Sequence, residues 1–156
     1  MAQADSSAKN KDVCVLIPTL NEEESIGPVI KEFQALGFPN ILLADGHSTD
    51  GTVDIARAAG ARIFVQSGSG KGQAMKEVFG VIEEDYILLI DGDGTYLPSE
   101  APALLEPVMT GKAEHVVGNR HGRMQGGALK RLNMFGNKMI NFFFSTIYRV
   151  HLTDIL

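Results

Sequence analysis

Tyr86-Ile87-Leu88-Leu89-Ile90-Asp91-Gly92-Asp93-Gly94-Thr95-Tyr96-Leu97-Pro98 joins an apolar run to two carboxylates and a turn. A run this short, bounded by acids and glycines, reads as a strand with both faces covered. Asp91 and Asp93 then stand at its C-terminal end, where open α/β sheets collect their ligands. Two carboxylates in that place suit a hard divalent cation, Mg²⁺ or Mn²⁺, with phosphate oxygens completing the shell. Asp-Gly and Gly-Asp also make ordinary turns after strands, so the tripeptide by itself leaves both readings open.

Working outward, strand-like runs alternate with helical patterns, the signature of βαβ units and a mostly parallel sheet. Val13 to Ile17 opens the sheet, and Pro18-Thr19-Leu20-Asn21 leads into a helix expected from about Glu22 to Ala35, with acids in its first turn and Gly37 ending it. The spacing predicts a strand over Ile41 to Ala44, a turn over Asp45 to Gly51, a helix over Thr52 to Ala59 and a strand over Arg62 to Val65. The glycine-rich loop Ser67 to Gly72 opens a helix reaching about Ile82. After the acidic pair come a helix from Pro98 to about Met109 and a short strand over Glu114 to Val117. From Ala128 to about Val150 the pattern is one basic amphipathic helix: Arg131, Lys138, Ser145 and Arg149 share a face, and Leu132, Phe135, Met139, Phe143 and Ile147 occupy another. Phe142, Phe143 and Phe144 are adjacent and point different ways, so one packed face does not bury them all, and a partner, a further part of the chain or lipid is expected to meet at least one.

The 156 residues, 44% of them hydrophobic, suffice for one sizeable core. Residues 1–11 are polar and lack an apolar stretch, so they read as a disordered tail rather than a signal peptide, which points to a cytoplasmic location. Cys14 is the only cysteine; it excludes an intramolecular disulfide and reads as a small buried hydrophobe. The net charge of -5 conceals a split: residues 1–114 carry 8 Lys/Arg against 18 Asp/Glu, whereas Arg120, Arg123, Lys130, Arg131, Lys138 and Arg149 follow with no acid before Asp154. The basic third is built to meet anions, whether phosphate, nucleic acid or an anionic membrane. His47, His115, His121 and His151 have no metal-ligand spacing. Gly68-Ser69-Gly70-Lys71-Gly72 is not a Walker loop, because Gly72 stands where Ser or Thr is needed. No glycine-rich turn follows the first strand, so a dinucleotide fingerprint is missing too.

Every strand end in the first half delivers a ligand-capable group to one edge of the sheet: Pro18-Thr19-Leu20-Asn21-Glu22, then Asp45, then Lys71, then Asp91 and Asp93. Ile17 to Glu22, Ala44 to Thr52, Gly70-Lys71-Gly72 and Asp91-Gly92-Asp93-Gly94 together resemble the nucleotide-sugar-binding domain of family-2 glycosyltransferases, and most nearly the dolichyl-phosphate mannose synthases and polyprenyl-phosphate glucosyltransferases. That resemblance implies an α/β fold of the GT-A type, a Rossmann-like, mostly parallel sheet flanked by helices, over residues 12–156 as a single domain truncated at its C-terminus. It implies that Pro18, Thr19 and Glu22 contact the nucleoside, that Asp45 reads the base edge, that Lys71 reaches the diphosphate, and that Asp91-Gly92-Asp93 is the Asp-x-Asp element holding Mg²⁺ or Mn²⁺. Gly118-Asn119-Arg120 resembles the family's Gly-Ser-Arg element, and Arg131 and Asn137 fall where related synthases bind the acceptor phosphate.

The implied activity is transfer of mannose or glucose from GDP-mannose or UDP-glucose to a dolichyl or polyprenyl phosphate, in one metal-assisted inverting displacement. The implied partners are that donor, that lipid and the membrane surface, with peripheral attachment at its cytoplasmic side and no nucleic acid; self-association stays open. The alternatives are a non-catalytic nucleotide-sugar-binding fragment or subunit, and a sugar nucleotidyltransferase. The last would call for an Arg-containing, glycine-rich loop where Asn21-Glu22-Glu23-Glu24 is acidic.

Overall fold

A computed structural model describes residues 10–118. The elements below lie in residues 10–114, within the first of two compact units, Met1–Glu114 and His115–Leu156. A 3-10 turn, Asn10–Asp12, leads into β1 (Val13–Thr19), followed by α1 (Ile26–Ala35), β2 (Asn40–Asp45), α2 (Thr52–Ala58) and β3 (Arg62–Val65). Then come α3 (Lys71–Val78), a 3-10 turn (Phe79–Val81), β4 (Tyr86–Leu89), a 3-10 turn (Pro98–Glu100) and α4 (Ala101–Met109).

The four strands form one parallel sheet in the order β3-β2-β1-β4, with Val15 opposite Ile41 on one side and Leu88 on the other. β1 is central, so its side chains go to both faces. Val13, Val15 and Ile17 pack under Ile26, Val29, Ile30 and Phe33 of α1 and Ala101 and Leu105 of α4, while Cys14 and Leu16 meet Val78 and Met75 of α3. Each large aliphatic or aromatic side chain buried in this way contributes roughly 1.5–3 kcal/mol. Gly37 ends α1 as the sequence predicts: at φ 84° it lets the amide of Phe38 return to the carbonyl of Phe33, whose ring meets that of Phe38 edge-on at 5.8 Å.

Three expectations need correction. The run Tyr86 to Ile90 forms the expected strand, but among the described residues β4 lies at the edge of the sheet; Leu88 is buried, whereas Ile87 and Leu89 are 41% and 50% exposed. They share a face with Cys14 and Leu16, where α3 is the packed helix among the described residues and its buried neighbours belong to β1 and β2. Helix α1 starts at Ile26 rather than Glu22: residues 23–25 form a turn, with the amides of Ser25 and Ile26 both returning to the carbonyl of Glu22, and the amides of Asn21, Glu22 and Glu23 donate to the side chains of Ser48, Thr52 and Asp50. Glu114 to Val117 forms no strand, since a strand needs a ladder partner and these residues have none among the described residues.

Candidate functional site

The C-terminal edge of a parallel sheet is where its loops converge, and the strand order puts Gln66, Asp45, Thr19 and Asp91 along that edge, at or just after the ends of β3, β2, β1 and β4. At about 4.8 Å per strand the row spans roughly 14 Å. A cavity of about 240 Å³ opens beside it, lined by Pro18, Thr19, Leu20 and Glu22 after β1, Ala44 and Gly46 around the end of β2, Gln66 after β3, and Gly70, Lys71 and Ala74 at the start of α3. A recess of about 300 Å³ at the other end of the strands, against Lys11, Gln34, Gly37, Phe38 and Pro39, holds no acid, thiol or imidazole. The expected site residues Pro18, Thr19, Glu22 and Lys71 line the strand-end cavity.

Its walls are held in shape by a lattice of hydrogen bonds between two loops. The amide of Asn21 donates to Ser48 Oγ at 3.0 Å, that of Glu22 to Thr52 Oγ1 at 2.7 Å and that of Glu23 to Asp50 Oδ2 at 3.3 Å. In return the amide of Thr49 donates to Asn21 Oδ1 at 2.8 Å and that of Gly51 to Glu23 Oε2 at 2.8 Å. Asn21 and His47 hold left-handed backbones, φ 58° and 70°, which the surrounding bonds maintain. Asp50 closes the turn, and the Thr52 hydroxyl donating to it holds its carboxyl below the usual carboxylate range. His47 has a structural place: its Nε2 lies 3.0 Å from the carbonyl oxygen of Gly68 and ties this lattice to the glycine-rich loop. Ser67 anchors that loop, donating from both amide and hydroxyl to Glu77, whose carboxyl is lowered as a result.

Asp45 is 3% exposed and its carboxylate accepts from the amides of His47 at 3.0 Å and Ser48 at 3.2 Å, so in this structure it organises the loop from below. At the other end of the row the Lys71 ammonium pairs with Asp91 Oδ1, joining the first turn of α3 to the end of β4. Asp93 Oδ1 accepts from the amide of Thr95 at 3.0 Å and its hydroxyl at 2.7 Å. Ser25, just before α1, links this turn to the β1 loop: its hydroxyl lies 2.7 Å from the carbonyl oxygen of Gly92 and 3.0 Å from Glu22 Oε2. Gly92 sits so close to β1 that an added Cβ would fall 2.4 Å from Thr19 Cγ2.

The structure thus brings Pro18, Thr19, Glu22 and Lys71 into one cavity and ties Asp91, Gly92 and Asp93 to it through Lys71 and Ser25. Arg120, Arg131 and Asn137 lie outside the described residues, as does the basic helix over residues 128–150. Among the described residues no three His, Cys, Asp or Glu gather to hold a metal. Asp91 is engaged with Lys71 and Asp93 with Thr95, and two carboxylates are of the ligand type that suits Mg²⁺ or Mn²⁺, which take the rest of their shell from phosphate and water.

One cavity residue, Gln66, went unnoticed in the sequence. Thr19 Oγ1 and Gln66 Oε1 are buried without a hydrogen-bond partner, in residues that are 6% and 3% exposed. Such atoms are uncommon in folded proteins and point to a partner from outside. Thr19 was expected to bind ligand; Gln66 was not, and its one signal was a polar residue directly after the apolar run Ile63-Phe64-Val65. Ser25 carried no signal, since the sequence places it inside the expected helix.

Comparison with known proteins is decisive on the family. The model of the family described as Glycosyl transferase family 2 matches residues 14–154. The chain belongs to glycosyl transferase family 2. Among curated family members, Glycosyltransferase AglJ of Haloferax volcanii is 48% identical over 145 residues, which is 92% of this chain and 48% of AglJ. The Dolichyl-phosphate hexose transferase of the same organism is 32% identical over 130 residues, covering 81% of this chain and 55% of the relative. The chain thus spans about half the length of these two relatives. Among solved structures, glucosyl-3-phosphoglycerate synthase from Mycobacterium tuberculosis in complex with Mn²⁺, UDP-glucose and phosphoglyceric acid matches with a TM-score of 0.59 at 28% identity, over 68% of this chain and 42% of that one. The expected GT-A architecture is borne out by these neighbours and by the parallel sheet.

Proposed function

We propose that this family 2 chain binds a nucleotide-diphosphate sugar at the strand-end cavity and belongs to a hexosyltransferase whose acceptor is a polyprenyl or dolichyl phosphate. The observation that carries the reading is the Lys71–Asp91 pair beside the cavity: a cation and a carboxylate that trade partners when a diphosphate and its metal arrive. A uridine donor has the better support, because the solved neighbour holds UDP-glucose, with GDP-mannose as the competitor. The lipid acceptor is supported by the name of the Haloferax volcanii hexose transferase.

In this reading Pro18, Thr19 and Glu22 hold the nucleoside, and Asp45 keeps the loop after β2 in place by accepting from the amides of His47 and Ser48. Lys71 neutralises charge on the diphosphate as the sugar leaves. A divalent cation, Mg²⁺ or Mn²⁺, held by Asp91 and Asp93 would supply further positive charge to that leaving group. An oxygen of the acceptor phosphate forms a bond to the anomeric carbon while the bond to the diphosphate breaks, with inversion. The acceptor is already ionised at neutral pH, so no proton needs removing and no covalent glycosyl-enzyme arises. Arg120, Arg131 and Asn137 align the acceptor. Residues 12–156 act as a single GT-A domain in this account, attached peripherally at the cytoplasmic face of a membrane through the basic segment. Among the described residues no helix is long and apolar enough to cross a membrane.

The test is transfer of labelled hexose from UDP-glucose or GDP-mannose to polyprenyl phosphate in detergent, with Mn²⁺ or Mg²⁺. Label extracted into the organic phase supports the reading. Donor binding with no transfer to any lipid phosphate would reduce the chain to a nucleotide-sugar-binding module.

A further inference from the structure

We infer that Gln66 is a specificity-determining residue for the donor and that its amide reads the imide edge of a uracil base; this rests on the donor-binding reading above. Three observations carry it. Gln66 is 3% exposed, lines the cavity, and holds a buried Oε1 that has no hydrogen-bond partner. Its backbone is fixed, because its amide donates to the carbonyl of Asp45 at 3.1 Å, so the side chain leaves the end of β3 from a set position. Gly46 lies beside it: a Cβ there would sit 3.6 Å from Gln66 Nε2, an ordinary contact, and 3.3 Å from the carbonyl oxygen of Thr19, a tight one.

The position of Gln66 along the sheet says which part of the donor it meets. The order β3-β2-β1-β4 places Gln66 at one end of the row and Asp91, paired with Lys71, at the other. A nucleoside diphosphate is a linear molecule with its charge at one end and its base at the other. With the diphosphate at Lys71 and Asp91, the base lies toward β2 and β3. A carboxamide carries one acceptor and one donor side by side. Uracil offers their complement, the N3–H donor beside the O4 acceptor, so Oε1 accepts from N3–H while Nε2 donates to O4.

The test is calorimetric titration, with Mn²⁺ present, of UDP, of 3-methyl-UDP, which lacks the N3–H, and of inorganic pyrophosphate. The expected result on the unaltered chain is binding of UDP at least 10-fold tighter than 3-methyl-UDP, one lost hydrogen bond that leaves a buried acceptor unpaired. Gln66→Leu, of similar volume, is expected to weaken UDP by 10-fold or more and leave pyrophosphate within 2-fold; Gln66→Ala, which clears space for the methyl, brings the ratio of UDP to 3-methyl-UDP below about 3. A ratio near 1 on the unaltered chain, or one unchanged in Gln66→Ala, would overturn the assignment. Because the 3-methyl-UDP comparison needs no variant, a substitution that fails to fold leaves the proposal testable. Failure of the unaltered chain to bind either UDP or pyrophosphate would count against the donor site itself, a separate outcome from UDP binding that ignores N3 methylation.

Discussion

Removing the Ser25 hydroxyl should loosen the acidic turn without touching either carboxylate. The hydroxyl has one proton to give, and the carbonyl of Gly92 at 2.7 Å is its shortest contact, with Glu22 Oε2 at 3.0 Å and the Glu22 carbonyl oxygen at 3.2 Å as the alternatives. A hydrogen bond of this kind contributes about 1 kcal/mol net, and toward 2 kcal/mol where its loss strands a part-buried carbonyl. Ser25→Ala should therefore lower the melting temperature by roughly 2–8 °C, at about 2–4 °C per kcal/mol for a domain of this size. Donor binding should weaken as well, since only molecules with the Asp91–Asp93 turn in place are competent, but by no more than about 30-fold, because about 2 kcal/mol cannot shift an equilibrium further. The assay is Mn²⁺-dependent titration of UDP alongside thermal unfolding, with Ser25→Thr as the control that restores the hydroxyl. Ser25→Ala with unchanged melting and unchanged affinity, or Ser25→Thr as impaired as the alanine variant, would refute the idea that this hydroxyl joins the two loops.

Lys71→Met keeps the aliphatic stem and deletes the charge, so UDP and pyrophosphate should both weaken 10-fold or more by calorimetry; loss for UDP alone would place Lys71 at the nucleoside instead. Arg131→Ala should spare donor binding and impair use of the lipid phosphate in the transfer assay, and an equal loss of donor affinity would show that the acceptor site has been misplaced. Burial pushes the Cys14 thiol from an ordinary 9.0 up to about 11, with Glu84 adding to the rise and Arg62 opposing it. The folded state favours the neutral thiol, so this stabilisation is full below about pH 9 and fades as pH rises toward about 11. Cys14→Ala should flatten that alkaline decline in chemical denaturation, and an identical pH profile would mean that the thiol does not titrate with folding.

The sheet was legible because its signals are local. The strand Arg62–Val65 appears in the structure with the bounds that its apolar run and flanking glycines suggest. Strand ends carrying Asp45, Lys71 and Asp91 could be read off in order, and parallel pairing then brings such ends together whatever lies between them. What escaped notice depends on contacts distant in sequence. The segment before α1 is one example: Ser48, Asp50 and Thr52 bind the amides of Asn21, Glu22 and Glu23 across 27 to 30 residues of sequence. Composition does not tell an edge strand from a central one when both are apolar, hence the exposed Ile87 and Leu89. Gln66 is the sharpest case: a glutamine after a strand is unremarkable until the fold buries it and leaves its carbonyl without a partner.

The central claim is a donor site built on Asp91, Asp93 and Lys71, and calorimetric titration of UDP-glucose in Mn²⁺, repeated in EDTA and with Asp93→Asn, tests it most directly. The account predicts measurable binding in Mn²⁺, loss of it in EDTA, and at least 10-fold weaker affinity in Asp93→Asn at an unchanged melting temperature. Equal affinity in all three conditions would contradict it, because the carboxylates after β4 would then have no part in holding the donor.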